Sequence, residues 1–169
     1  MKFNYCPVCG KKAVEKEIGD EGRMPYCEQC GVPLWETFRT SVICAVVNEY
    51  EEIALIRQSY VSKQNYVCIA GVMKPGETAE EAAAREIREE IGLETESLTY
   101  IRSYAYEKKE MLMLGFRAEV KKAEFRLSGE VDSAEWIPCR KAQELLRENG
   151  IAWQLVGEIT DADEAPSQE

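Results

Sequence analysis

Short apolar-rich runs, each bounded by polar turn residues, recur through the middle of the chain. Runs of this length between turns indicate β-strands. The predicted strands cover residues 40–48, 52–57, 65–70, 98–106, 111–120 and 134–137. Because only residues 49–51 separate the first two, and only residues 107–110 separate the fourth from the fifth, each of these pairs is expected to form a hairpin.

Three other segments carry helical signals. The first begins at Thr78, which makes a capping box with Glu81, and it ends at Gly92. Ala, Glu and Arg dominate this segment, which favours a helix. The run KAQELLREN predicts a second helix closed by Gly150, and residues 151–159 predict a third. The order of these elements predicts a mixed α/β domain.

The first predicted helix carries an acidic cluster. At about 100° per residue, Glu86, Glu89 and Glu90 project within roughly a 100° arc. Three like charges on about one turn repel each other, so the cluster needs a cation or full solvation. Hard oxygen ligands in this number suit Mg²⁺ or Mn²⁺. The preceding turn GVMKPGE, which Arg85 can hold through an ion pair with Glu77, favours metal binding over a solvated acidic face.

The stretch from Gly71 to Leu93, GVMKPGETAEEAAAREIREEIGL, fills every fixed position of a known signature. It resembles the Nudix box, the metal and pyrophosphate signature of the Nudix hydrolases. The resemblance implies a metal-dependent enzyme that cleaves a nucleoside diphosphate linked to another moiety. It also implies an α/β/α sandwich, in which a mixed sheet lies between helical layers. The metal ligands that it implies are the side chains of Glu86, Glu89 and Glu90 and the carbonyl of Ala70.

The group that takes the proton from the attacking water varies among such enzymes. This chain contains no histidine, so the acceptor has to be a carboxylate, with Glu90 and Glu130 as candidates. Glu130 precedes a short strand that ends near Trp136, which resembles the Nudix element that brings a last Glu to the metals. An ordinary acidic turn is the alternative. The predicted catalytic residues are therefore Glu89, Glu90 and Glu130, with Glu130 also a metal ligand.

A second metal signature lies near the start of the chain. Two Cys-x-x-Cys-Gly knuckles contain Cys6 and Cys9 in the first and Cys27 and Cys30 in the second, with 17 residues between Cys9 and Cys27. This spacing is typical of a structural four-cysteine Zn²⁺ site. Two disulfides are the alternative, but nothing marks the chain for export, so a reducing, cytoplasmic location is expected. The other cysteines, Cys44, Cys68 and Cys139, are expected to be buried or inert thiols.

Length and charge divide the 169 residues into a small module and one domain. We expect a zinc ribbon over residues 1–36, a Nudix domain over 37–160 and an acidic flexible tail over 161–169. Residues 1–40 hold six basic and six acidic residues, so the net charge of −10 lies in the remainder. A neutral ribbon argues against tight binding to nucleic-acid duplexes. The expected partner is a small nucleotide, no membrane span is expected, and a homodimer supported by the ribbon is left open.

The order of zinc ribbon, short linker and Nudix domain is similar to that of the NADH pyrophosphatase group, without that group's extra N-terminal domain. This resemblance favours an NAD(H)-like dinucleotide as the substrate, with ADP-ribose or a sugar nucleotide as alternatives. The group carries a Ser-Gln-Pro-Trp-Pro-Phe-Pro-x-Ser motif, associated with recognition of the nicotinamide dinucleotide. Residues 103–111 here lack those prolines, which predicts a charged hairpin turn. A noncatalytic nucleotide sensor, whose ribbon contacts a partner or nucleic acid, is the alternative from another class.

Five residues are candidate substrate contacts. Arg57 and Lys74 are candidate phosphate contacts, with ordinary surface charges as the alternative. Tyr104 and Tyr106 could stack on a base or ribose, although alternation along a strand is as typical of packing residues. Ala152 lies where the NADH pyrophosphatase group has a small residue near the substrate.

Overall fold

The structure, a computed structural model, describes residues 3–164, without the side chains of residues 162–164. Contacts between Cα atoms divide the chain into two compact units, Met1–Arg39 and Thr40–Glu169. The boundary predicted from the sequence, between residues 36 and 37, lies three residues earlier.

The first unit is built on a small antiparallel sheet. Its strands are β1 (Val14–Glu17), β2 (Arg23–Cys27) and β3 (Val32–Pro33), in the order β1-β2-β3. The buried residues of its core are Cys6, Cys27 and Leu34. Because two of these three are cysteines, burial of apolar side chains alone can contribute little to the stability of this unit.

The second unit contains a six-stranded sheet. Its strands are β4 (Arg39–Asn48), β5 (Glu52–Arg57), β6 (Ile69–Val72), β7 (Thr95–Tyr106), β8 (Met111–Val120) and β9 (Ser133–Pro138). The order is β7-β8-β4-β5-β9, with β6 paired to β4 beside that path. The two predicted hairpins are confirmed, because β4 pairs with β5 and β7 pairs with β8 in antiparallel register. The mixed sheet and its helices confirm the predicted fold class.

Strand β6 differs from its prediction in position. The predicted strand covered residues 65–70, whereas only the last two of those residues belong to β6. Strand β5 pairs with β4 only at Val46 and Val47, and then pairs with β9 along its whole length. Val67, inside the predicted strand, exchanges two backbone hydrogen bonds with Ile56 of β5, and the chain then crosses to β4, where β6 pairs with Ser41–Cys44. The register places Gly71 opposite Val42.

Three α-helices complete the second unit: α1 (Ala79–Ile91), α2 (Cys139–Leu145) and α3 (Ile151–Glu164). The start and end of α1 are confirmed, because Thr78 and Glu81 form the capping box and Gly92 takes the left-handed conformation at φ 72°. Helix α2 ends earlier than predicted, because the backbone at Leu146 is extended and its side chain is buried in the core.

Helix α3 runs beyond its predicted end. Its buried Ile159 anchors the last turns, and the helix continues to Glu164. The first four residues of the predicted acidic tail, 161–164, are therefore helical, and residues 165–169 lie outside the described residues.

Alternate residues of the central strands face two separate cores. One core lies between the sheet and α1, where Ile87 and Ile91 are fully buried. Burial of each such side chain contributes about 1.5–3 kcal/mol. The other core lies between the sheet and helices α2 and α3. Residues 3–164 contain no helix that is both long and apolar enough to cross a membrane.

Candidate functional site

Helix α1 and the loop before β9 bring four glutamates together. Glu86, Glu89 and Glu90 lie on α1, and Glu130 lies in the loop. The amide of Ser128 donates to the carbonyl of Glu90 at 3.1 Å, which joins the loop to the end of the helix. The other three carboxylates act electrostatically on Glu90, and each raises its pKa. The structure thus places together the four side chains that the sequence predicts as metal ligands.

Glu90 is the buried member of this cluster, with 6% of its surface exposed. Its Oε1 accepts a hydrogen bond from Nε2 of Gln58 at 3.1 Å, and its Oε2 has no hydrogen-bond partner. Burial, followed by the negative charges of the other three glutamates, raises the pKa of Glu90 to about 7. A buried carboxylate oxygen without a donor is costly, so Oε2 is an unused ligand atom that a cation would satisfy.

The absence of a side chain at Gly71 makes room for Glu86. A Cβ atom built at Gly71 would overlap the Glu86 carboxylate. Ser41 fixes the strand here, because its hydroxyl donates to the carbonyl of Gly71 at 2.6 Å. The backbone that follows Ala70 therefore lies against a predicted metal ligand, while the role of the Ala70 carbonyl stays a prediction.

The substitution Gly71→Ala tests this packing. The added methyl group has to displace the Glu86 carboxylate, so we expect the affinity for Mg²⁺ to fall by about ten- to a hundredfold while the fold persists. Isothermal titration calorimetry measures that affinity. Gly129→Ala is the matched control, because a Cβ atom there meets nothing within 4 Å. Equal Mg²⁺ affinity in both variants would contradict the assignment of Glu86 as a ligand.

Arg85 holds the loop that precedes α1. Its Nε and Nη2 donate to the two carboxylate oxygens of Glu77 at 2.5 and 2.9 Å, and Nη2 also donates to the carbonyl of Val72 at 3.3 Å. The hydrogen bonds from Arg85 are the main cause that lowers the pKa of Glu77 to about 2. The predicted ion pair is confirmed. The same guanidinium also donates through Nη1 to Glu86 at 2.6 Å and to Glu89 at 3.0 Å.

These contacts explain why the carboxylates do not converge on one point. Within residues 3–164, one group of three or more potential metal ligands has all of its ligand atoms within 4.8 Å of one another, and that group is the four ribbon cysteines. The carboxylates do not form such a group. Arg85 instead draws oxygens of Glu86 and Glu89 to itself. The hard oxygen donors and the unpartnered Oε2 of Glu90 fit a divalent cation, provided that Glu86 and Glu89 turn away from Arg85 when it binds.

A loop that carries no motif in the sequence supports two of the glutamates. It follows β5, and Gln58 in it donates to Glu90 while the hydroxyl of Tyr60 donates to Oε2 of Glu130 at 3.4 Å. Oδ2 of Asp132 accepts from the amide of Ser59 at 2.7 Å, which ties this loop to the loop before β9. The partners are 32 to 73 positions apart in the chain, so no local pattern points to them. The signal for this loop in the sequence is Gln58, a glutamine directly after the apolar strand β5.

The predicted phosphate contacts have different surroundings. Nζ of Lys74 lies 3.7 Å from Oε1 of Glu89, and both side chains are about half exposed, so Lys74 is beside the acidic cluster. The guanidinium of Arg57 lies 3.9 Å from the ring centre of Tyr66 and donates to the carbonyl of Gln64 at 3.2 Å. Arg57 therefore closes the loop after β5, and a phosphate contact by either residue stays a prediction.

The structure does not bring Tyr104, Tyr106 and Ala152 to the carboxylates. All three pack in the core beneath α2 and α3, whereas the apolar face of α1 packs in the other core. Tyr104 is only 6% exposed, and its hydroxyl lies 3.4 Å from Glu158. These surroundings match the packing alternative, and substrate contacts by the three residues stay a prediction. The charged hairpin turn is confirmed, because Tyr106 pairs with Met111 and residues 107–110 connect them.

The four ribbon cysteines form a compact cluster. The Sγ atoms of Cys6 and Cys30 are 3.9 Å apart, and those of Cys9 and Cys27 are 3.5 Å apart. A tetrahedral Zn²⁺ site with Zn–S bonds of about 2.3 Å requires separations of about 3.8 Å, whereas a disulfide requires about 2.05 Å. None of the four ribbon cysteines forms a disulfide, so the disulfide alternative is wrong. The cluster fits Zn²⁺.

The glycine that ends each Cys-x-x-Cys-Gly knuckle closes a backbone turn. Gly10 and Gly31 have φ angles of 72° and 69°, which favour glycine. Their amides donate to the carbonyls of Cys6 and Cys27 at 2.9 and 2.8 Å. The amide of Cys30 points to Sγ of Cys27 at 3.4 Å. Each knuckle is therefore a closed turn that presents two sulfurs on the same side.

The other thiols lie in the second unit. Cys44 and Cys68 are buried, and burial raises the pKa of both, that of Cys68 to about 12. The expectation of buried thiols is confirmed for these two, and a thiol that stays protonated near neutral pH reacts slowly. Cys139 is partly buried at the start of α2.

Comparisons with known proteins agree with this geometry. Residues 37–156 match the NUDIX domain family. The chain is 31% identical to the NAD-capped RNA hydrolase NudC of Pseudomonas aeruginosa (strain LESB58) over 88% of its length, and 31% identical to that of Stutzerimonas stutzeri (strain A1501) over 92%. It spans about half of these relatives, 53% and 55% of their lengths. A NUDIX hydrolase structure from Nitrosomonas europaea has the same fold, with a TM-score of 0.71 at 17% identity over 99% of this chain and 97% of that one.

Proposed function

The chain belongs to the Nudix family, and we propose that it hydrolyses the pyrophosphate of a nucleoside diphosphate linked to another moiety, with Mg²⁺ or Mn²⁺ as cofactor. Nudix hydrolases generally need divalent cations. The observation that carries the proposal is the buried Oε2 of Glu90, which has no partner and lies among three further carboxylates.

The cation ligands in this proposal are Glu86, Glu89, Glu90, Glu130 and the carbonyl of Ala70. When bound, a divalent cation neutralises the pyrophosphate, orients the attacking water and stabilises charge on the leaving phosphate. Arg85 holds the loop before α1 against Glu77, which keeps the helix and strand β6 in fixed positions. Lys74 lies at the exposed side of Glu89, where it can contact a phosphate oxygen.

Two carboxylates can take the proton from the attacking water. Glu90 presents a free oxygen inside the cluster, and Glu130 is exposed to solvent at its edge. The chain contains no histidine to replace them. The pH dependence of turnover in Glu130→Gln separates the two, because the ionisation that limits turnover persists in this variant only if Glu90 is the base.

An NAD-type dinucleotide is the proposed substrate. The names of the relatives specify NAD-capped RNA, which supports an NAD linkage either free or at an RNA end. ADP-ribose and sugar nucleotides remain alternatives, because the hairpin at residues 103–111 lacks the proline-rich motif. The electrically neutral ribbon predicts that RNA would be recognised through its cap rather than as a duplex.

A panel of substrates tests this function. We expect NADH to be cleaved to AMP and a second phosphomonoester in the presence of Mg²⁺ or Mn²⁺, faster than ADP-ribose or a sugar nucleotide. Chromatography of the products measures each rate, and Glu89→Gln serves as the inactive control. Tight binding of a nucleotide without hydrolysis of any substrate would instead favour the noncatalytic sensor.

The ribbon is proposed to bind structural Zn²⁺ through Cys6, Cys9, Cys27 and Cys30. Four cysteines that bind Zn²⁺ instead of forming disulfides fit a reducing compartment, which supports a cytoplasmic location. We also propose that the ribbon supports a homodimer. Sedimentation velocity of the intact chain and of a variant that cannot bind zinc would test this. A monomeric state in both proteins would contradict it.

A further inference from the structure

Gln58 is a buried polar residue that has no role in the proposed chemistry. It follows β5 directly and is only 4% exposed. The buried polar residues within 3–164 are Ser41, Asn48, Gln58 and Glu90. Two of the four therefore form one pair, since the Gln58 amide donates to the Glu90 carboxylate at 3.1 Å.

The hydrogen bond determines which Glu90 oxygen is available. An ionised carboxylate only accepts hydrogen bonds, so the side-chain NH₂ of Gln58 has to face it. The terminal torsion of a glutamate is broad, and a single donor at Oε1 is enough to restrict it. With Oε1 held, Oε2 is the oxygen without a partner. Gln58 thus presents one defined oxygen of Glu90 to the cluster.

The backbone around Gln58 is held in place on both sides. Its carbonyl accepts from the amides of Val61 and Ser62, each at 2.9 Å. The next amide, that of Ser59, donates to Asp132 at 2.7 Å. The donor is therefore preorganised before any ligand binds, which lowers the entropy lost when the site is completed.

The neutrality of Gln58 also suits this position. Lysine or arginine would cancel the charge of Glu90 and compete with a divalent cation. An amide donates a hydrogen bond without adding charge, so the acidic cluster keeps its full attraction for a cation. The guanidinium of Arg85 donates instead to Glu86 and Glu89.

We propose that Gln58 is a positioning residue for divalent-cation binding, holding Oε1 of Glu90 so that Oε2 faces the cation. This inference rests on the proposed function. Outer hydrogen-bond partners of metal ligands typically contribute ten- to a hundredfold to metal affinity. Gln58 is expected to contribute within that range.

Gln58→Met tests the proposal, because methionine has a similar length and no donor. Electron paramagnetic resonance measures the concentration of unbound Mn²⁺ in a titration of the zinc-loaded full chain. It gives the Mn²⁺ affinity without any substrate. We expect Mn²⁺ affinity to fall about ten- to a hundredfold. Saturating Mn²⁺ should restore much of kcat with little change in KM for NADH, which a general loss of structure would not allow.

Gln143→Met is the matched control. Its amide also donates one hydrogen bond, to the carbonyl of Trp153 at 3.1 Å, but it lies on α2 away from the carboxylates. This variant should bind Mn²⁺ as the wild type does. Thermal unfolding without Mn²⁺ checks that both variants fold.

Wild-type Mn²⁺ affinity in Gln58→Met would overturn the proposal. If that variant fails to fold, Gln58→Asn replaces it, because its amide is one methylene short of Glu90. Weakened Mn²⁺ binding in Gln58→Asn supports the role of Gln58, and unchanged binding contradicts it. If the wild type neither binds Mn²⁺ nor hydrolyses any substrate, the proposed function itself fails, which is a distinguishable result.

Discussion

Glu90→Gln is expected to reduce turnover by about a hundredfold or more while making the cation-free protein more stable above neutral pH. Turnover falls because the amide replaces a charged ligand at the centre of the cluster. Stability rises because the substitution removes a buried negative charge beside three others. An ordinary structural residue would not move these two quantities in opposite directions.

The pH dependence of the stability effect follows from the pKa of Glu90. Its pKa rises from 4.5 to about 7 on folding, so the folded state holds the proton more tightly than the unfolded state. Below pH 4.5 the group is protonated in both states, and no penalty applies. As the pH rises towards 7, the wild type loses stability on the order of 2–3 kcal/mol, and above pH 7 the loss is complete.

Denaturant unfolding at pH 5 and pH 8, without added Mg²⁺ or Mn²⁺, measures this difference. Glu90→Gln should remove most of the decrease seen in the wild type between the two pH values. Glu80→Gln is the control, because Glu80 is an exposed glutamate on the same helix, and it should leave both stability and turnover nearly unchanged. Wild-type turnover in Glu90→Gln would contradict the proposed chemistry.

Cys30→Ser is expected to abolish zinc binding and to unfold residues 3–39. Structural Zn²⁺ typically supplies about 10–16 kcal/mol to small domains, and serine replaces a thiolate by a poor ligand. The core of this unit has three buried residues, two of them cysteines, and cannot compensate for such a loss. The second unit has its own two cores and should remain folded.

Zinc content by mass spectrometry and amide hydrogen exchange measure the two expected effects of Cys30→Ser. The wild type should hold one zinc per chain and protect the amides of β1 and β2, whereas the variant should show neither. Cys139→Ser is the matched control, because Cys139 is also a partly buried thiol but lies outside the cluster. Retained zinc and retained protection in Cys30→Ser would exclude the four-cysteine assignment.

Features set by neighbouring residues could be predicted from the sequence. The capping box of α1 joins residues three positions apart, and its end requires a glycine with positive φ. Each cysteine knuckle closes through a bond from a glycine amide to the carbonyl four residues before it. Interactions between residues three or four positions apart leave a pattern in the sequence, and the structure confirms them.

Features set by distant partners could not be predicted. Strand β6 begins four residues later than expected because Val67 pairs with Ile56 of β5 before the chain crosses to β4, which no pattern near residue 65 records. Gln58 and Asp132 act on partners 32 and 73 positions away. Arg85 was predicted to pair with Glu77, but its additional contacts with Glu86 and Glu89 depend on how three side chains fill one space.

The measurement that tests the central claim most directly is hydrolysis of NADH in ¹⁸O-labelled water, followed by mass spectrometry of the products. The wild type with Mg²⁺ should release AMP and one other phosphomonoester, with a single ¹⁸O atom on one of the two. Omission of the cation, or the Glu90→Gln substitution, should suppress the products. Cleavage that is equally fast without the cation, or unchanged in Glu90→Gln, would contradict a pyrophosphohydrolase built on this carboxylate cluster.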